Sequence, residues 1–176
     1  MTRPLLVLVG PPASGKTTVG TAVAEALGAG FRDTDADVEA LAGMSVADVF
    51  VEQGEAHFRA LEADAVIHGL TQHDGVLALG GGAVMSDATR AALAAYGAHG
   101  GTVVHLDVDL HSAAKRVGLS RDRPLLAVNP RAMLRTMLEA RAPLYAEVAT
   151  ATVPTGDRTP EEVVAEVLGI VAGAAR

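Results

Sequence analysis

Residues 10–18 read GPPASGKTT, in which Gly10, Gly15, Lys16 and Thr17 satisfy the spacing G-x-x-x-x-G-K-[ST]. A loop of this kind turns its backbone N–H groups toward phosphate oxygens. Its Lys reaches the β- and γ-phosphates and its hydroxyl binds Mg²⁺. Ala13, Ser14, Gly15, Lys16, Thr17 and Thr18 are therefore the expected nucleotide-phosphate cradle. Two carboxylates, Asp33 and Asp35, follow in DTDAD. Beside a phosphate site one of them can hold the hydration shell of Mg²⁺, and the other can orient an attacking hydroxyl and accept its proton. An Asp pair that only caps the next helix would read the same way. In GEAHFRALE, Glu55, Arg59 and Glu62 stand at helical spacing beside Phe58. Arg59 reads either as a guanidinium fork for a carboxylate or as one half of a surface ion pair. Finally, Gly80, Gly81 and Gly82 follow an apolar run in LALGGGAVM. Glycine loses the most backbone freedom on folding, so a row of three needs a reason. The expectation is that a small rigid ring lies against this bare backbone and bonds to its N–H groups, a tight turn being the plainer alternative.

These residues need a scaffold that brings them together. Apolar β-type runs recur at 5–10, 75–80, 102–108 and 149–154, with a shorter one at 30–35, and helical patterns fill 16–28, 35–42, 46–70 (broken at Gly54), 87–97, 110–117, 130–147 and 160–173. Asp87 and Thr159 are the expected N-caps of the helices they precede, with Pro160 at a first helical position. Strands alternating with helices predict an α/β fold with a five-stranded parallel sheet covered on both faces. Ligands of such sheets bind at the carboxyl ends of the strands. The phosphate loop, the Asp pair and the glycine row each follow a strand, so all three are expected at one edge.

Composition narrows the function. The 176 residues suit one domain, and 49% hydrophobic with 20% charged residues allows a real core. Cysteine is absent, which removes disulfides, thiolate zinc sites and thiol catalysis and predicts a reducing, cytoplasmic setting. A net charge of −7 and a total of two Tyr, three Phe and no Trp argue against nucleic-acid and anionic-membrane partners. The charge is uneven, however. Lys115, Arg116, Arg121, Arg123, Arg131, Arg135 and Arg141 face only Asp122 and Glu139 in the same stretch, as a small-anion site or a solvated helix face would. No apolar run reaches the roughly 18 residues of a membrane span, and LLVLV is too short for a signal-peptide core. A guanine reader of the Asn-Lys-x-Asp type is excluded, because the single Asn, Asn129, is followed by Pro130. A large ATPase would need more chain, which leaves small-metabolite kinases. The six His residues show no metal-ligand spacing and receive no role.

The segments GPPASGKTT, DTD, GMSVADVF, GEAHFRALE, LGGGAV, RDRPLL and RAPLY occur in this order between about residues 5 and 160. In this combination the chain resembles the shikimate kinases. The resemblance implies a P-loop fold of the nucleoside-monophosphate-kinase type with strand order 2-3-1-4-5. It also implies a single kinase domain over 1–176, with an acceptor-binding region at about 33–62 and a lid at about 118–128. The implied reaction is MgATP-dependent phosphorylation of the 3-hydroxyl of shikimate, a step of aromatic amino-acid biosynthesis, by a monomer with one Mg²⁺. Carried over, Asp35 binds the ring hydroxyls and orients the attacking one, Arg59 and Arg141 grip the carboxylate, and Gly81 gives a backbone N–H to the ring between Gly80 and Gly82. Thr17 and Asp33 serve the metal, Lys16 and Arg123 serve the transferring phosphate, and Arg116 with Arg158 to Pro160 flanks the adenine. Ala13 departs from the Gly frequent at that corner of the loop. Gluconate kinases, which share the phosphate loop, and a non-catalytic nucleotide-binding module are the alternatives.

Overall fold

The computed structural model describes residues 2–118 and 129–174. Five parallel strands form one sheet in the order β2-β3-β1-β4-β5: β1 (Leu6–Val9), β2 (Phe31–Asp33), β3 (Val76–Ala78), β4 (Val103–Asp107) and β5 (Ala151–Pro154). The helices are α1 (Lys16–Leu27), α2 (Thr34–Ala42), α3 (Val46–Gln53), α4 (Glu55–Gln72), α5 (Asp87–Ala98), α6 (Leu110–Arg116), α7 (Pro130–Val148) and α8 (Pro160–Ala174).

Strand side chains alternate between faces, and both faces are covered. Leu6 and Leu8 of β1 pack with Val19 and Val23 of α1 and Val163 and Val167 of α8. Val7 and Val9 pack on the opposite side with Val66 of α4, Leu93 of α5 and Tyr145 and Val148 of α7. A third cluster, Val38, Val49, Phe58 and Ala65, joins α2, α3 and α4 into a small core of their own.

Register brings the chemistry to one edge. Asp33 pairs with Ala78, and Leu8 pairs with the same Ala78, so β1, β2 and β3 end level with one another. Their exits are the phosphate loop, the Asp pair and the glycine row. Gly54, at φ +85°, separates α3 from α4 as expected. Thr159 caps α8 through a reciprocal pair: its hydroxyl accepts from Glu162 N at 3.3 Å, and Glu162 Oε2 accepts from Thr159 N at 2.8 Å. The α5 cap differs from expectation. Ser86, whose oxygen accepts from Thr89 N, is the N-cap, and Asp87 is the first helical residue, where its charge favours the helix N-terminus. Strand β2 is also shorter than expected, because Thr34 already begins α2.

Candidate active site

The phosphate loop is built from conformations that bare or strained backbone supplies. A Cβ on Gly10 would stand 2.6 Å from the Leu106 carbonyl and 2.8 Å from Ser14 Oγ. Gly15 adopts φ +93° as the N-cap of α1 and offers no side-chain acceptor to the first turn. No acidic residue lies in that turn either, so its N–H groups and the helix dipole are left for an external anion. Ala13 holds φ +66°, a left-handed conformation in a residue with a Cβ. The buried Ser14 hydroxyl has no hydrogen-bond partner among the described residues. Lys16 Nζ donates to the carbonyls of Gly10 at 2.8 Å and Pro11 at 3.0 Å. Burial pulls its pKa down from 10.5 to about 8, although Asp35 and Asp33 oppose the shift.

Asp33 does two things at once. Its Oδ1 caps α2 by accepting from Asp35 N at 3.0 Å, and its Oδ2 accepts from the Thr17 hydroxyl at 3.2 Å. A hydroxyl and a carboxylate side by side at the mouth of a phosphate loop suit Mg²⁺, which takes few protein oxygens and completes its octahedron with water and phosphate. No cluster of three or more His, Cys, Asp or Glu forms a cage elsewhere among the described residues. Asp35 lies in the first turn of α2. Burial, then the neighbouring Asp33, raises its pKa above the ordinary carboxylate range, while Lys16 and Arg59 pull it back.

Arg59 is held on three sides. Its Nη1 donates to Glu62 at 2.5 Å, its Nε lies 3.6 Å from Glu55, and its guanidinium faces the rings of Phe58 at 5.1 Å and Phe50 at 5.6 Å. The expected ion pairing of Arg59 is present, and its partner Glu62 is buried rather than on the surface. Glu62 is only 2% exposed, and burial raises its pKa while Arg59 opposes the rise.

The protein itself leaves no room for side chains in the glycine row. None of the three has a positive φ. A Cβ on Gly80 would run into the carboxylates of Asp35 and Glu62, and one on Gly82 into the Arg59 guanidinium. A Cβ on Gly81 would stand 2.8 Å from Pro12 Cδ. Protein groups, then, already fill the Cβ direction of each of the three glycines. Gly80 N donates to Thr34 Oγ1 at 2.9 Å. The Gly81 carbonyl accepts from Arg141 Nη1 at 3.1 Å and from the Tyr145 hydroxyl at 2.5 Å. Arg141 is therefore brought across from α7 to the same edge as Asp35 and Arg59.

A separate cleft of about 260 Å³ opens on the other side of the loop, lined by Ser14, Gly15, Thr18, Arg116, Arg158 and Pro160 among others. Arg116 ties its walls together, donating to the Ala13 carbonyl at 3.0 Å and the Thr155 carbonyl at 2.6 Å. Arg158 is fastened to Glu166 at 2.7 Å. The predicted adenine-flanking residues are thus assembled in one place. Arg123 and most of the expected lid, 119–128, lie outside the described residues.

Pro12, Thr34, Glu62 and Tyr145 were not singled out as site residues from sequence. Glu62 carried a signal, an acid three residues after Arg59 on a helix, which reads equally well as surface charge. Pro12, Thr34 and Tyr145 lie within the segments GPPASGKTT, DTD and RAPLY, but their individual roles arise only where separate elements meet.

A profile of the shikimate kinase family matches residues 12–172. The chain is 59% identical over 169 residues to a shikimate kinase of Salinispora arenicola, covering 96% of this chain and 98% of the relative. It is 53% identical to a shikimate kinase of Streptomyces coelicolor, covering 97% of each. Among solved structures, a shikimate kinase of Acinetobacter baumannii in complex with shikimate aligns with a TM-score of 0.85 at 34% identity, over 98% of this chain and 94% of that one. With a phosphate loop, a flanking carboxylate and two converging guanidiniums on a 2-3-1-4-5 sheet, the chain belongs to the shikimate kinase family.

Proposed function

We propose that the chain transfers the γ-phosphoryl group of MgATP to the 3-hydroxyl of shikimate, giving shikimate 3-phosphate and ADP. The observation that carries this reading is the meeting of Asp35, Arg59 and Arg141 around the Gly80–Gly82 row, one strand away from Lys16 and the open N-terminus of α1.

The acceptor's carboxylate lies between the guanidiniums of Arg59 and Arg141, which fixes the ring. Asp35 receives the proton of the attacking hydroxyl as its oxygen bonds to the γ-phosphorus and the bond to the ADP oxygen breaks. A carboxylate whose pKa is raised by burial is a stronger base for that purpose. Lys16 leaves its carbonyl partners for the phosphate oxygens and places positive charge where negative charge accumulates. Thr17 and Asp33 would hold Mg²⁺, which supplies charge neutralisation on the nucleotide phosphates. Gly81 would offer its N–H to the ring, Arg116, Arg158 and Pro160 would flank the adenine, and Arg123 would reach the phosphates. The absence of cysteine suits a cytoplasmic enzyme, and no described helix is long and apolar enough to cross a membrane.

Coupled ADP release with MgATP and either shikimate or gluconate tests the reading. Turnover with shikimate and none with gluconate is the expected result. The reverse preference overturns it, and so does nucleotide binding without turnover of either.

A further inference from the structure

Tyr145 stands one helical turn after Arg141 on α7, and both side chains end on one atom. The Tyr145 hydroxyl donates to the Gly81 carbonyl at 2.5 Å, and Arg141 Nη1 donates to the same oxygen at 3.1 Å. A carbonyl oxygen has two lone pairs, so the two donors are compatible and each limits where the other can sit. Gly81 in turn lies against Pro12 of the phosphate loop. One backbone unit therefore connects α7, the glycine row and the loop.

The tyrosine is itself held. It is 2% exposed, and its ring stacks on His105 with centroids 4.9 Å apart and planes 21° apart. His105 is a β4 residue in register with Val9, the last residue before the phosphate loop begins. The aromatic pair is thus rooted in the central sheet, next to the strand that carries the loop. Burial, with a contribution from Lys16, lowers the His105 pKa against the pull of Asp107, which keeps the imidazole neutral within the stack at neutral pH.

We infer that Tyr145 is a positioning residue for the acceptor site: its hydroxyl, seated by the His105 stack, fixes the Gly81 carbonyl and, through that shared acceptor, the reach of the Arg141 guanidinium. The inference rests on the proposed reading of Arg141 as a carboxylate grip. It gives an activity role to a side chain whose burial alone would mark it as core.

Tyr145→Phe keeps the ring and the stack and removes only the hydroxyl. At saturating MgATP, kcat/KM for shikimate should fall by about 5- to 10-fold, on the order of 1–1.4 kcal/mol. The KM for MgATP should stay within about twofold and the melting temperature within a few degrees. The decisive comparison repeats the change in an Arg141→Ala background. There, Tyr145→Phe should alter kcat/KM for shikimate by less than about twofold, because the group it positions is gone. An unchanged kcat/KM in the single variant, or the same fold loss in both backgrounds, would overturn the inference and leave Tyr145 a core residue. A wild-type chain without shikimate-dependent ADP release would overturn the acceptor assignment, and this inference with it. Wild-type turnover with an insensitive Tyr145→Phe overturns this inference alone.

Discussion

Gly81 and Pro12 are in contact: a Cβ on Gly81 would stand 2.8 Å from Pro12 Cδ and 3.1 Å from Pro12 N. Proline cannot swing aside as a long side chain can, so a methyl at Gly81 must move the phosphate loop. Gly81→Ala should therefore weaken nucleotide and shikimate binding together, each by ~10-fold or about 1.4 kcal/mol. Gly82→Ala meets the flexible end of Arg59 instead. It should weaken shikimate binding while leaving nucleotide affinity within about twofold. Separate titrations with the two ligands distinguish these outcomes. Loss of shikimate binding alone in Gly81→Ala would show that the methyl meets the acceptor ring rather than displacing Pro12.

Asp35→Asn keeps the shape of the side chain and removes the base. It should lower kcat by ~10² or more, the scale of general-base roles. A value within about threefold of wild type would contradict the role. The base works when ionised, so activity is lost as pH falls through its pKa. Because that pKa is raised, the acidic limb of kcat/KM for shikimate should lie above the ordinary carboxylate range and should disappear in Asp35→Asn.

Lys16 makes two predictions about protons. Its pKa of about 8 in the ligand-free protein leaves it largely neutral at pH 9, whereas a bound triphosphate favours the charged form. Nucleotide binding at pH 9 should take up close to one proton, measurable by calorimetry in buffers of different ionisation enthalpy, and Lys16→Met should abolish the uptake. The stability effect follows from the same numbers. Between about 8 and 10.5 the unfolded chain holds a proton on this lysine that the folded protein has lost. Ligand-free stability should therefore rise with pH across that window relative to Lys16→Met. A flat difference between the two proteins would contradict the lowered pKa.

Ala13 occupies a left-handed conformation at φ +66°, which costs a residue with a Cβ roughly 1–2 kcal/mol. Glycine removes that strain but loses more freedom on folding, by roughly 0.5–1 kcal/mol. Ala13→Gly should therefore raise stability by a few tenths to about 1 kcal/mol. For a chain of this size that is an increase of about 1–4 °C in melting temperature. A melting temperature that falls would show that the loop is stiffened to advantage.

The secondary-structure elements, and the sheet edge at which they act, can be read from the residue pattern. Alternating apolar runs and helical periods specify a parallel sheet, because local periodicity depends only on which face each residue must bury. The spacing from Gly10 to Thr17 specifies a phosphate loop, because one contiguous turn supplies every group it uses. The ion pairing of Arg59 was legible as well, since Glu55 and Glu62 are its neighbours on a single helix. What meets across elements follows only from how they pack. A Cβ on each of the three glycines would meet Asp35 and Glu62, Pro12 and Arg59 in turn. Those partners belong to α2, α4 and the phosphate loop, which only the sheet register brings to one place. Tyr145 stacks on His105 from another helix and another strand, and nothing in either local pattern separates such a pair from ordinary core. Contacts of this kind depend on Cβ directions and distances between segments far apart in the chain, and no spacing along the chain encodes them.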